Sequence, residues 1–266
     1  MRFNSLFSSR DNCSYSKILI IVLVSIMALS VFPSLNTKAS EPTGDEILEA
    51  FIKATGGKDA YSALHNQVSS GSMEMPAMGI KATMISYSEE PNKSYSKIES
   101  PAIGTIESGT DGSVYWEITM MSGPRILEGE ERASSMRAAT FNSTLLWKQL
   151  FKTAEYAGVD TLDGKLCNTV ILTPNEGQPE KHYFDAESHL LVKIEATINT
   201  TMGAIKIENF PGDYREVNGV LMSYTSRQVL MGMQEMIFKS DKIEFNVDIP
   251  DSIFIVPDDI TALMEK

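Results

Sequence analysis

The residue types that most often carry chemistry are sparse in this 266-residue sequence. Its three histidines are His65, His182 and His189, and the last two flank a predicted turn. Two exposed imidazoles are the common outcome of such a placement, and a metal or catalytic pair is the rarer one. No Gly-x-Ser-x-Gly elbow, His-Glu-x-x-His pair or phosphate-binding glycine loop occurs in the sequence. We therefore expect a protein that is not an enzyme and has no metal site and no cofactor.

Methionine is the unusual residue type. Two segments share a spacing, Met73-Glu-Met-Pro-Ala-Met78 and Met231-Gly-Met-Gln-Glu-Met236. Met-x-Met in a strand places both thioethers on one face, and thioethers are soft ligands that suit Cu(I). The same flexible side chain also fills irregular cores and adapts to variable ligands. Core packing and a deformable, lipid-contacting wall are favoured over copper binding.

The N-terminus has the pattern of a secretory signal. Basic residues precede an apolar run at 18–32, and Thr37-x-Ala39 fits the small-x-small cleavage rule. The run is 15 residues long, short of the roughly 20 that a spanning helix needs, although an uncleaved anchor is the alternative. We expect residues 1–39 to be a signal peptide, residues 40–266 to form one domain, and the protein to be periplasmic.

Charge and cysteine content narrow the function classes further. Residues 1–39 contain four Lys or Arg and one acidic residue, so their removal changes the formal net charge from −12 to −15. An acidic chain of this kind argues against nucleic acid and against electrostatic docking on anionic lipid. Cleavage also leaves Cys167 as the sole cysteine, so no intramolecular disulfide can form. Its position in a predicted strand favours a packed, inert thiol.

Most of the chain after residue 67 alternates apolar and polar residues, which predicts strands with one buried face. The clearest case is 190–198, where the residues at 190, 192, 194, 196 and 198 are all apolar. Asp163-Gly164 and Asn218-Gly219 are strong hairpin signals. The predicted strands are 68–75, 80–87, 93–100, 103–108, 114–120, 154–162, 165–173, 204–210, 214–217, 220–228, 229–238 and 242–247, with a hairpin over 181–198. Ten or more short strands favour an antiparallel sandwich or barrel.

Two helical blocks interrupt this pattern. The first begins at Thr43 or Asp45 and stops at Gly56-Gly57, followed by a short helical piece at 59–65. The second lies within 128–151, where the glutamates at its start are typical of a helix N-terminus rather than of paired catalytic acids. Asn142-Ser-Thr144 is expected to interrupt it and cap a further helix. The acidic tail at 251–266 is weakly patterned and is expected to fray.

Several turns and strand ends carry a family resemblance. They are Asp111-Gly-Ser-Val-Tyr-Trp116, Gly123-Pro-Arg-Ile-Leu-Glu-Gly129, Leu162-Asp-Gly-Lys165, Tyr183-Phe-Asp-Ala-Glu187 with Leu190-Leu191, and Asp213-Tyr-Arg-Glu-Val-Asn-Gly219. In these residues the chain resembles the exported bacterial proteins of the LolA/LolB-like superfamily, the outer-membrane lipoprotein-sorting proteins and their relatives. The likeness runs from about Asp45 to Pro257 and is closer to the relatives than to the lipoprotein carriers.

The resemblance implies a mainly β (α+β) fold: a curved, incomplete antiparallel barrel with helices over its concave face. It also implies an exported carrier or binder of a hydrophobic ligand, a lipid or the acyl chains of a lipoprotein, in a cavity between sheet and helices. The alternative is a non-catalytic envelope module that holds a partner protein. The expected partners are a lipid or an acylated protein, and envelope proteins in the alternative; the chain is expected to be a monomer.

If such a cavity exists, one-sided strands and the mid-chain helices supply its candidate residues. The expected cavity wall consists of Ile80, Met84, Trp116, Ile118, Val192, Ile194, Ile205 and Ile207. The expected lid consists of Met136, Leu146, Trp147 and Leu150. The same residues would equally serve a solid core, since apolar periodicity does not distinguish a packed interior from a hollow one.

Overall fold

One 13-stranded antiparallel sheet dominates the computed structural model of this chain. The structure describes residues 41–200 and 203–265, so the predicted signal peptide lies outside it. The strands are β1 Asn66–Met75, β2 Ile80–Glu89, β3 Lys93–Ser100, β4 Gly104–Thr110, β5 Tyr115–Thr119, β6 Gly123–Ile126, β7 Phe151–Leu162, β8 Lys165–Pro174, β9 Glu180–Asp185, β10 Leu191–Thr200, β11 Gly203–Val217, β12 Val220–Leu230 and β13 Gln234–Phe245. The α-helices are α1 Gly44–Ala54, α2 Lys58–Ser62, α3 Gly129–Ala139, α4 Trp147–Leu150 and α5 Asp258–Met264, and short 3₁₀ turns lie at Pro76–Met78 and Asp251–Phe254.

The strand order is β6-β5-β4-β3-β2-β1-β13-β12-β11-β10-β9-β8-β7. Strands β1–β6 and β7–β13 therefore form two meanders of sequential neighbours, which pairing of β1 with β13 joins at the middle. Strands β6 and β7 are consecutive in sequence but lie at opposite edges, so the sheet curls without closing. The predicted incomplete antiparallel barrel is confirmed.

Helix α1 starts and ends where its sequence signals predict. Thr43 Oγ1 accepts a hydrogen bond from the Glu46 backbone N–H at 3.2 Å, and the Glu46 carboxylate accepts one from the Thr43 N–H at 2.8 Å. This reciprocal capping box satisfies donors that a helix start leaves free. After the helix, Gly56 has φ +129° and lies so close to Gly219 that a Cβ would be 2.4 Å from its carbonyl oxygen. Only glycine fits this contact between the helix end and the β11–β12 turn.

Three of the strand predictions were wrong in detail. The predicted strands 204–210 and 214–217 are a single strand, because β11 continues through Pro211 and Gly212. Residues 229–238 do not form one strand, because Met231–Met233 make the turn between β12 and β13. No strand was predicted between 120 and 154, but Gly123–Ile126 form the edge strand β6. Edge strands tolerate proline, which cannot donate to a neighbouring strand.

Helices α1–α4 cover one face of the sheet, called here the inner face. α1 packs on Val170 and Leu172 of β8, and α2 packs in the same cluster as Ile243 and Phe245 of β13. In the described residues, none of the helices has the length and apolar character to cross a membrane.

The C-terminal segment is ordered and does not fray as expected. Phe254 and Ile260 are buried, and Ile260 has no exposed surface. The Lys93 ammonium lies 5.6 Å from the Phe254 ring centroid, and α5 contacts β6. Lys93 lies on the same face as Tyr95 and Trp116, as strand alternation and cross-strand pairing require. The C-terminal segment therefore covers the outer face of β3–β6.

Candidate functional site

Two adjoining cavities lie between the helices and the inner face of the sheet. The smaller has a volume of about 290 Å³ and the larger about 470 Å³. They share the lining residues Phe51, Ala138, Ser143, Thr144 and Leu191. The described residues therefore leave open space beneath the helices, in two compartments of different chemistry that share part of their lining.

The smaller compartment, called here the apolar cavity, is lined mainly by aliphatic and aromatic side chains. Its apolar lining residues are Leu48, Phe51, Ile52, Trp147, Leu150, Phe151, Leu172, Phe184, Leu191 and Ile194. Helix α1 supplies three of them, because its residues at 48, 51 and 52 recur at helical spacing and face the sheet. Trp147 and Leu150 come from the short helix α4. Such a surface suits hydrocarbon.

A buried charged cluster borders the apolar cavity. Arg137 on α3 pairs with the Glu180 carboxylate on β9, and His182 Nε2 lies 3.0 Å from the other oxygen of Glu180. The three side chains are only 12–15% exposed. Burial alone would raise the pKa of Glu180, but the hydrogen bond from His182 and the charge of Arg137 outweigh it, and its pKa is lowered. The carboxylate is thus held ionised by partners that satisfy it.

This placement corrects the expectation for the histidines. His182 is a buried strand residue rather than an exposed loop imidazole, whereas His189 lies in the turn after β9 with φ +61°. His65 is exposed and hydrogen-bonds to Glu90. Within the residues that the structure describes, no group of three or more His, Cys, Asp or Glu side chains could hold a metal ion.

The larger compartment, called here the hydroxyl cavity, is lined by many alcohol and phenol side chains. They are Ser86, Ser88, Ser94, Ser96, Ser143, Ser223, Thr140, Thr144, Tyr61, Tyr115 and Tyr214, joined by the amides Gln67 and Asn142. Tyr87 and Tyr95 also border the cavity, but strand alternation directs their side chains to the outer face. Burial raises the pKa of both Tyr115 and Tyr214, so both phenols are neutral at ordinary pH. Among the described lining residues, none carries an acidic or basic side chain.

The serine side chains reach this cavity because of strand alternation. Ile80, Ala82, Met84, Ser86 and Ser88 share one face of β2. The face is therefore apolar at the start of the strand and serine-bearing at its end. Ser86 pairs with Ser96 and Ser88 with Ser94 on β3, so the serine surface continues across strands. Sequence reasoning missed this surface, although serines at two-residue spacing were its visible signal.

Helix α3 lies across the cavities and is held by charged contacts to both halves of the sheet. Glu131 receives two hydrogen bonds from Arg125 on β6, at 2.8 and 2.9 Å. Toward the other half, Arg137 pairs with Glu180, and Asn199 on β10 donates to Glu130 at 2.8 Å. These contacts tie the helix to β6 on one side and to β9 and β10 on the other.

The residues of the predicted cavity wall lie in several different parts of the structure. Ile194 lines the apolar cavity, and Ile205 and Ile207 line a further cavity of about 260 Å³. Ile80 belongs to a separate buried cluster, and Val192 lies at a register shift between β9 and β10.

Met84, Trp116 and Ile118 are separated by the register of the sheet. Met84 pairs with Ile98, which pairs with Ile106, whereas Ile118 pairs with the next residue, Glu107. Successive residues face opposite sides of a sheet, so Trp116 and Ile118 lie on the outer face and Met84 on the inner face.

The predicted lid residues also lie in different places. Trp147 and Leu150 line the apolar cavity, while Met136 lines a separate cavity of about 250 Å³. The Thr110 hydroxyl lies 3.5 Å from the Met136 sulfur. Leu146 is the residue before α4.

Pairing of β1 with β13 brings the two methionine segments together. Met73, Met75, Ile80 and Ala82 form a buried cluster against which Met236 packs. Met231 and Met233 lie in the exposed turn before β13 rather than in a strand. Cys167 is 1% exposed and burial raises the pKa of its thiol, which fits the expected inert, packed cysteine.

Comparison with known proteins identifies the fold. No known protein family matches the sequence, and no curated protein matches it either. A LolA superfamily protein from Nitrosomonas europaea is similar with a TM-score of 0.54 at 13% identity, covering 81% of this chain and 99% of its own. A domain described as outer membrane lipoprotein-sorting, from Vibrio parahaemolyticus, has a TM-score of 0.54 at 9% identity over 84% of this chain and 100% of its own.

A DUF1329 family protein from Desulfovibrio piger has a TM-score of 0.55 at 11% identity, covering 79% of this chain and 96% of its own. Identities this low establish the architecture and leave the activity to be argued from the site. The 13-stranded open sheet, the helices over its inner face and these three structures agree with the resemblance stated from the sequence. The chain has the LolA-like fold.

Proposed function

We propose that this protein is an exported, periplasmic carrier or binder of a lipid-like ligand. The acyl chain lies in the apolar cavity, and an uncharged polar group lies in the hydroxyl cavity. The observation that carries this proposal is the shared wall of the two compartments, because an amphiphile needs both environments side by side. The lipoprotein-sorting description of the Vibrio neighbour supports a cargo that carries acyl chains.

Transfer of hydrocarbon from water drives the binding. Each buried methylene contributes about 0.8 kcal/mol, so eight methylenes contribute about 6 kcal/mol. This mechanism requires no reaction, only entry and release of the chain. The charged contacts of α3 to Arg125 and Glu180 give the helix a way to shift while those groups exchange partners with water.

The lining of the hydroxyl cavity favours a neutral head group. A buried phosphate or carboxylate needs a cation or several donors to offset its loss of hydration. No described lining residue of this cavity supplies a cation, whereas serine, tyrosine and amide groups can hydrogen-bond a glyceryl or glycosyl group. The ligand class is therefore a neutral amphiphile.

Chain-matched amphiphiles test the proposal. Dodecyl glucoside and dodecyl phosphate would be titrated below their micelle concentrations into the purified protein, with binding followed by native mass spectrometry and calorimetry. We expect the glucoside to bind at least tenfold more tightly than the phosphate, a difference of about 1.4 kcal/mol. Failure of every dodecyl probe to bind would contradict the proposal.

A substitution in the shared wall ties binding to the cavities. Ala138 is an exposed residue that lines both compartments, so Ala138→Trp places a large side chain at their junction. Ala157, an exposed alanine of β7, lines neither compartment and Ala157→Trp is the matched control. Only Ala138→Trp should lose the probe. Equal binding by both variants would place the ligand elsewhere, and an envelope partner retained by Ala138→Trp would favour the interaction-module alternative.

A further inference from the structure

Sheet topology gathers several exposed methionines at one end of the molecule. The β1–β2, β3–β4 and β5–β6 turns lie at this end because successive strands of the first meander alternate in direction. The β12–β13 turn joins them because β13 is antiparallel to β1, so the start of β13 lies beside the end of β1. We call residues 76–79, 101–103, 120–122 and 231–233 the methionine rim. Its exposed residues are Met78, Met120, Met121, Met231 and Met233, with relative exposures of 59–97%.

The methionine rim carries no charge, although 22% of the whole chain is charged. At this end, the β8–β9 turn at 175–179 adds one acidic residue, Glu176. The turns at the opposite end are acidic instead, with Glu90, Asp111, Asp163 and Glu187 in four different turns. The turns at one end of the sheet therefore expose methionine, and those at the other end expose acidic residues. Solubility alone does not require this difference between the two ends.

The rim rests on an apolar base. Directly beneath the β1–β2 and β12–β13 turns lies the buried cluster of Met73, Met75, Ile80 and Ala82, with Ile103 and Met236 packed against it. Met78, Met231 and Met233 are thus the outer layer of an apolar end rather than isolated surface residues.

The form of the rim favours a bilayer over a protein partner. Its methionines project from three separate hairpins that lie between the sheet edge at β5–β6 and the sheet centre at β12–β13. Protein interfaces need close packing of complementary shape, whereas separate flexible apolar tips can enter a deformable lipid interface. The described chain also begins at this end, because Gly44, which opens α1, packs against the Ala154 backbone near the start of β7. If the apolar run at 18–32 is kept as an anchor, the alternative to a cleaved signal, it precedes the domain at this end.

We infer that the methionine rim docks on the surface of an uncharged or zwitterionic lipid bilayer. The net charge of −12 disfavours an anionic surface, and an uncharged rim needs no anionic lipid. The inference concerns a surface distinct from the two cavities and does not depend on the proposed ligand.

Lipid-borne quenchers test the docking in the full chain. An environment-sensitive fluorophore would be attached at Met121→Cys in the rim or at Glu187→Cys at the opposite end, both in a Cys13→Ser background. Cys167 is 1% exposed and should stay unlabelled under native conditions, which the parent protein checks. With phosphatidylcholine vesicles that carry quenchers near the head groups, we expect strong quenching at position 121 and little at position 187.

A serine variant supplies the second readout. Met120→Ser, Met121→Ser, Met231→Ser and Met233→Ser combined should reduce quenching at a label placed at Met78→Cys severalfold. The matched control replaces exposed apolar residues elsewhere, Val159→Ser, Leu166→Ser and Ile255→Ser, and should not reduce it. Equal quenching at positions 121 and 187 would overturn the inference. So would a rim label that stays unquenched on vesicles but crosslinks to an envelope protein.

Discussion

The Tyr214 hydroxyl on β11 donates a hydrogen bond to the Leu191 backbone carbonyl on β10, at 2.8 Å. Leu191 lines both the apolar cavity and the hydroxyl cavity, whereas Tyr214 lines only the hydroxyl cavity. This bond therefore fixes the wall where the two compartments meet, and it makes the phenol both a structural donor and part of the polar lining.

Tyr214→Phe should cost about 1 kcal/mol of unfolding free energy, since it removes one hydrogen bond and leaves the carbonyl less well satisfied. It should also weaken dodecyl glucoside binding more than it weakens binding of a plain dodecyl chain. Urea unfolding and calorimetry measure the two effects. Tyr156→Phe is the control, because the described residues give the Tyr156 hydroxyl no hydrogen-bond partner. Equal losses in both variants would contradict a role for the Tyr214–Leu191 bond.

Arg137→Met should destabilise the fold by about 3 kcal/mol, because it leaves the buried Glu180 carboxylate without its arginine partner. Glu180→Gln should cost less, since the amide removes the negative charge at nearly constant volume. Chemical denaturation of both variants and of the double variant forms a cycle that isolates the coupling. A coupling near zero would show that the pair does not hold α3.

Acid should remove the contribution of Glu180. Its pKa is lower in the folded chain than its ordinary value of 4.5, so the folded state binds this proton less readily than the unfolded state. The stabilisation is present above pH 4.5 and is lost as the pH falls through the folded pKa. The stability difference between wild type and Glu180→Gln should therefore shrink below pH 4.5. A constant difference across that range would exclude this titration as the source.

Ile260→Ala should destabilise the protein by about 2–4 kcal/mol, because Ile260 is fully buried in the C-terminal segment over the outer face. Ile255→Ala is the matched control, since Ile255 is 66% exposed, and should change stability by less than about 0.5 kcal/mol. Thermal and urea unfolding compare the two. Similar small effects would mean that the segment contributes little to the fold.

Local signals predicted much of the fold. The Thr43–Glu46 capping box and the Asn218-Gly219 turn are short-range features whose geometry the residues themselves determine. The Met231–Met233 turn lacks the Asn, Asp or Gly that usually occupies the first position of a hairpin turn. Its residues were therefore predicted to lie within a strand. The C-terminal helix was missed because its order depends on packing against the outer face rather than on its own periodicity.

The site was harder to predict than the fold, because the prediction assumed that the inner face is uniformly apolar. On β2 the inner face changes from Met84 to Ser86, so the alternation rule assigns both to one surface while their chemistry differs. On β5 the prediction assigned Trp116 and Ile118 to the cavity wall, although alternation alone does not decide whether Tyr115 or Trp116 faces inward, since both are large aromatic residues. Only the register across β3 and β4 places Trp116 outward.

Pairing of β1 with β13 has a consequence for folding kinetics. Each meander forms from neighbours in sequence, but Gln67 must find Phe245 across almost the whole chain. Loop-closure entropy makes such distant contacts slow to form. Strand β1 should therefore keep an unpaired edge until the last strand arrives, and this interval is when the emerging chain is most exposed to aggregation or to capture by a chaperone.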